Sequence, residues 1–77
     1  MKIHLEYTAV LDVKGVRNGM ALEIPDGSTV AALLNRLEVR PEHQKFVVPF
    51  INGAQKKLSA QLRDNDKVVL SLPVGGG

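Results

Sequence analysis

The sequence predicts an α+β domain: a mixed sheet of four to five strands with one main helix packed on one face. Three observations carry this. Apolar and polar residues alternate in strand fashion at both ends of the chain, in KIHLEYTAVL and in KVVLSLP. One segment only, VAALLNRLEV, changes to a helical period. Proline, glycine and asparagine punctuate the stretches between them. A single helix cannot sandwich a sheet, so the second face of the sheet is left exposed or serves binding.

Each element has its own justification. In KIHLEY, Ile3, Leu5 and Tyr7 fall on one face and His4 and Glu6 on the other. Gly15 and the pair Asn18-Gly19 supply turn chemistry before MALEI, where Met20, Leu22 and Ile24 alternate again, so a first hairpin with a long loop is expected. Pro25 and Asp26-Gly27 then break the strand, and Ser28 or Thr29 can cap a helix by accepting a bond from a free backbone N–H. Val30, Leu33, Leu34 and Leu37 form one apolar stripe, with Asn35, Arg36 and Glu38 outside it. Arg40-Pro41 should end this helix, because a residue before proline avoids the α region. EHQK reads as a polar loop and FVVPFI as a strand, followed by Asn52-Gly53, a pair suited to a tight hairpin turn. Pro49 cannot donate to a ladder, so its nitrogen must face an edge or a very short neighbour. AQKKL is a weak return strand, SAQLRDND a connection, and KVVLSLP a last strand with Val68, Leu70 and Leu72 on one face and Lys67, Val69 and Ser71 on the other.

Composition narrows the function. A chain of 77 residues is one small domain, and such chains bury only about 60% of their unfolded surface. With no cysteine there is no disulfide, thiolate site or thiol nucleophile, so stability rests on the 44% of residues that are hydrophobic. The start of the chain alternates where a secretory signal would run apolar, and no apolar run is long enough for a membrane span, which predicts a soluble cytoplasmic protein without membrane partners. Ten basic and eight acidic residues are mixed along the chain, with Lys56-Lys57 the one basic cluster and Tyr7, Phe46 and Phe50 the only aromatics. That pattern argues against nucleic-acid binding, which gathers cations with stacking aromatics on one face. His4 and His43 lack partners at ligand spacing, Asp64-Asn65-Asp66 reads as a turn, and no metal site, catalytic triad or phosphate loop is visible.

The order strand, strand, helix, strand, short strand, long strand matches the β-grasp arrangement, whose first and last strands lie parallel at the centre. Particular stretches then resemble one family. IPDGSTVAALLNRL, FINGAQKKL and LRDNDKVVLSLPVGGG resemble, in order and spacing, the strand-turn-helix, hairpin and closing pattern of the ThiS/MoaD sulfur-carrier proteins, which have a ubiquitin-like β-grasp fold. The resemblance spans nearly the whole chain and finishes on Gly76-Gly77. The chain departs from the family pattern at Asn65, where glycine is usual, at the additional Gly75, and at Ser71, where molybdopterin-type carriers tend to have a large apolar residue. Asn65 suits its turn because asparagine enters the left-handed region readily.

This resemblance implies a carrier, not an enzyme: a β-grasp domain over residues 1–73 and a flexible glycine-rich tail over residues 74–77. It implies that an adenylating enzyme of the ubiquitin-activating kind couples the Gly77 carboxylate to AMP, using ATP and Mg that the partner binds. A sulfur donor then converts the adenylate to a thiocarboxylate, and a sulfur-accepting synthase receives the sulfur. No bound cofactor is implied, and the carrier alone is expected to be a monomer. Length and the long first hairpin loop favour the molybdopterin type, with the thiamine thiazole type next. A ubiquitin-like modifier, joined through Gly77 to target lysines, begins with the same adenylate.

The residues of the tail suit such a role. A carboxylate is a poor electrophile and its mixed anhydride with phosphate a good one. Gly75, Gly76 and Gly77 have no Cβ to obstruct a narrow channel, and Pro73, just before Val74, stiffens the base of the tail. Taken alone, the glycines would equally suit a loose chain end. A second candidate site is a docking surface of Val48, Phe50 and Val69 rimmed by Lys45 and Lys67, which exists if Pro49 and Ile51 point to the helix. A slip of one residue would bury Phe50 instead, so the reading depends on a two-residue turn at Asn52-Gly53.

Overall fold

The computed structural model describes residues 1–7 and 19–72. Its elements are β1 (Lys2–Tyr7), β2 (Ala21–Glu23), α1 (Val30–Arg36), α2 (Pro41–Gln44), β3 (Val48–Ile51), β4 (Ala54–Gln55) and β5 (Lys67–Ser71). The five strands form one mixed sheet in the order β2-β1-β5-β3-β4. β1 and β5 run parallel, with Leu5 level with Val68, and the other neighbouring pairs are antiparallel. This is the β-grasp arrangement, with its first and last strands adjacent inside the sheet.

Alternation places the core. Ile3, Leu5, Val68 and Leu70 are fully buried on one face of the two longest strands, against Val30, Leu33 and Leu34 of α1 and Leu37 just beyond it. Burying each such side chain stabilises the fold by about 1.5–3 kcal/mol. Leu62 joins this core from the connection before β5, which carried no periodic signal.

The start of α1 is satisfied in two ways. Thr29 is the N-cap, and its hydroxyl accepts the Ala32 N–H at 3.1 Å. The N–H groups of Val30 and Ala31 donate instead to the carbonyls of Ala60 and Leu58. The connection before β5 therefore closes over the helix N-terminus, and Leu62 N–H bonds back to the Ser28 carbonyl at 2.8 Å.

Four predicted assignments are corrected. The helix ends at Arg36 and not at Arg40, because Glu38 takes a left-handed conformation (φ 58°). Val39 N–H then donates to the Leu34 carbonyl and Glu38 N–H to that of Asn35, a Schellman closure in which Val39 and Leu34 are both buried. The expected loop EHQK is largely the short helix α2, with Pro41 in its first turn, where the missing N–H costs nothing. His43 thus lies in a helix and Phe46 in the turn after it, so β3 starts at Val48. The return strand shrinks to Ala54–Gln55.

Pro49 explains how short β4 is. Its carbonyl accepts Lys56 N–H at 2.9 Å, so its nitrogen faces the same neighbour with no proton to return. The ladder stops after Gln55, and proline is accommodated beside a very short strand, as the sequence predicts.

The N-terminal ammonium is held at the β2 edge. It donates to the Ile24 carbonyl at 2.9 Å and to Asp26 Oδ1 at 3.0 Å. The Asp26 hydrogen bond holds its pKa above the ordinary value, against a smaller opposing effect of desolvation.

Candidate functional site: the open sheet face

The β3–β4 turn fixes which side of β3 faces solvent. Ile51 pairs with Ala54, so the connection is the two residues Asn52 and Gly53, both at positive φ (52° and 85°), as a type I′ turn requires. Pro49 and Ile51 are buried toward the helix, and Val48 and Phe50 turn to the other face, where they are half-buried. The register with β5 sets Phe50 level with Val69 and Val48 level with Ser71. Val69 is in turn level with Glu6 of β1. One row across the open face therefore reads Glu6, Val69, Phe50, Gln55, and the next carries Ser71 and Val48.

Val48, Phe50 and Val69 are thus brought together, as the sequence predicts. The chain leaves β5 at Leu72, on the Val48 side of this patch. Pro73, Val74, Gly75, Gly76 and Gly77 lie outside the described residues, as do Gly15 and Asn18.

The patch has a polar rim. Lys67 Nζ lies 3.2 Å from Glu6 Oε2; both side chains are well exposed, and such a pair contributes about 0–1 kcal/mol. The open face thus carries an apolar patch edged by the charges of Glu6 and Lys67. Ser71 puts a small polar side chain beside Val48.

The exposure of Phe46 was not anticipated. This residue is 59% exposed, more than any other large hydrophobic side chain described, and lies two residues before Val48. Lys45 Nζ stands 5.4 Å from the centre of its ring, within cation–π range.

The acidic turn sets the base of β5. Lys2 N–H donates to Asp64 Oδ1 at 2.8 Å, and Asn65 is left-handed at φ 68°. Asp66 is buried, with its two oxygens accepting from Asn52 Nδ2 at 2.9 Å and Arg63 N–H at 2.8 Å. Asn52 Oδ1 accepts Lys67 N–H at 2.9 Å. One carboxylate thereby locks the hairpin turn that orients Phe50 to the start of the strand that carries Val69.

Among the described residues no three His, Cys, Asp or Glu side chains are grouped as metal ligands. Nor is any described helix long and apolar enough to cross a membrane.

Comparison with known proteins agrees with this geometry. Two crystal structures of small archaeal modifier protein 1 from Haloferax volcanii superpose on the chain. One has a TM-score of 0.68 at 18% identity, covering 100% of both chains. The other has a TM-score of 0.67 at 17% identity, covering 95% of this chain and 98% of its own. A Pyrococcus furiosus protein assigned as molybdopterin converting factor subunit 1 superposes with a TM-score of 0.68 at 25% identity, again over 95% and 98%. No curated protein matches by sequence. The fold is therefore the ubiquitin-like β-grasp. The ThiS family model matches residues 9–77. The chain belongs to the ThiS family, whose members are small carrier proteins and not themselves enzymes.

Proposed function

We propose that this protein is a sulfur carrier that works through the carboxylate of Gly77. The observation that carries this reading is the family match running to Gly77 in a chain that leaves its central strand beside an open apolar face. An activating enzyme docks on Val48, Phe50 and Val69 and receives the tail. The carboxylate attacks the α-phosphorus of ATP, pyrophosphate leaves, and an acyl-adenylate forms. The terminal sulfur of a persulfide donor attacks the acyl carbon and AMP leaves; a thiol then cleaves the acyl disulfide and frees the thiocarboxylate. A synthase takes up that sulfur in cofactor biosynthesis, with the molybdopterin type favoured by the Pyrococcus furiosus neighbour at 25% identity. This chain has no cysteine, so none of its own side chains can hold the sulfur as a persulfide.

Intact mass after incubation with ATP, the activating enzyme and a persulfide donor tests the reading. The expected product gains the difference between one sulfur and one oxygen. The resemblance to small archaeal modifier protein 1 favours a second reading, attachment through Gly77 to lysines of other proteins. Adducts of protein size in place of the sulfur product would establish that reading and overturn the carrier.

Docking is tested separately. Phe50→Ala should weaken binding to the activating enzyme by about 10- to 100-fold, as expected for a central aromatic contact. Circular dichroism should still show a folded domain, since Phe50 is only half-buried. Loss of folding would assign Phe50 to the core, and unchanged affinity would remove it from the interface.

A further inference from the structure

A second surface lies on the other side of the sheet, at its β4 edge. Ala54 sits level with buried Ile51, and Lys56 N–H bonds to buried Pro49, so both side chains project to the helix side. No residue of α1 is among those that line the space on this side. A cleft of about 460 Å³ remains between β4 and the connection before β5. Its floor is Ile51, Ala54 and Ala60, and its walls carry Lys56, Gln61 and Arg63.

Charge and backbone both leave this cleft open. Asp66, at one end, already accepts from Asn52 Nδ2 and Arg63 N–H. The side chains of Lys56 and Arg63 are exposed and form no ion pair among the described residues. The strand edge is also unused. Antiparallel pairing alternates direction, and Ala54 and Lys56 turn toward β3, so the N–H and carbonyl of Gln55 face outward. A free donor and acceptor on a strand edge are what an added strand requires.

We propose that this cleft binds an extended acidic segment of a partner protein, which pairs with Gln55 at the β4 edge and places a carboxylate against Lys56 and Arg63. The apolar floor receives the side chain two residues from that carboxylate, on the same face of the added strand. Such a segment fits better than a nucleic acid, because no aromatic ring lines the cleft for a base to stack on. Nothing in this contact depends on the chemistry of Gly77.

The test is an NMR titration of the isotope-labelled 77-residue chain with a capped peptide in which glutamate and valine stand two residues apart, with serine between them. A peptide with lysine replacing glutamate and a uridine oligonucleotide run alongside. The expected result is saturable shifts at Gln55, Lys56, Gln61 and Arg63, slower exchange of the Gln55 amide, and weakening with salt. The double variant Lys56→Gln/Arg63→Gln keeps the Arg63 backbone bond and should raise Kd by about fivefold or more, two exposed charge contacts being lost, with the core amides unmoved. Shifts elsewhere, equal binding of the lysine peptide, an unaffected double variant, or tighter binding of the oligonucleotide at these residues would each overturn the proposal.

Discussion

Gly77→Ala is expected to slow adenylate formation by about 100-fold, the loss that a displacement of roughly 1 Å at a reacting centre produces. Under the proposed function the carboxylate must align with the α-phosphate of ATP inside a partner's channel. A methyl group on the adjacent carbon widens the chain there and restricts the backbone angles that glycine allows. ATP–pyrophosphate exchange, measured with the cognate activating enzyme at saturating carrier, reads the step directly. Docking should be unchanged, because the substitution leaves the docking side chains Phe50 and Val69 as they are. Exchange at the normal rate would sink the threading account of the tail, and a parallel loss of docking would move the effect to binding.

Asp66→Ala should produce the largest stability loss of any substitution of a polar residue described here, about 2–3 kcal/mol. The change removes the acceptor of two hydrogen bonds from a site only 8% exposed, and each donor stranded there costs about 1–3 kcal/mol. For a domain of this size the melting temperature should fall by about 10–20 °C. Asp64→Ala, which loses an exposed bond to Lys2 N–H, is the comparison and should cost less than about 1 kcal/mol. Equal melting temperatures for the two variants would show that the Asp66 network contributes little. The network also joins two remote sites, since Asn52 orients the hairpin and Lys67 begins β5. A weakened Asp66 should loosen the Phe50–Val69 alignment before the whole domain melts.

What the residues reveal in advance depends on how local each cause is. The buried stripe of α1 was legible because Val30, Leu33, Leu34 and Leu37 repeat with the helix itself. Its end was not, because the stop is a left-handed Glu38, and glutamate does not advertise that conformation as glycine would. α2 has no apolar stripe to announce it, although Pro41 followed by Glu42 is a helix-start signal that the polar reading passed over. Pro49 fixed the edge relation of β3 and β4 through a single missing proton. The open-face trio was legible for a related reason: a two-residue turn leaves alternation no freedom. Asp66 was placed in a turn correctly, but its partner Asn52 lies 14 residues away, and that meeting is made by the sheet. The basic cleft at β4 is likewise a product of tertiary placement, since Lys56 and Arg63 sit on separate segments that carry no common period.

The parallel pairing of β1 and β5 has a mechanical consequence. The chain enters β1 at one end of this central pair and leaves β5 at the other. Opposed pulls on the two termini therefore slide the strands along each other, and the interstrand hydrogen bonds share the load together. A hairpin pulled at its open end yields one bond at a time, as a zipper does. Traction between the two ends of this chain meets the sheet in its stiffest direction, so a machine that draws in the protein by its tail must break the central ladder as a unit.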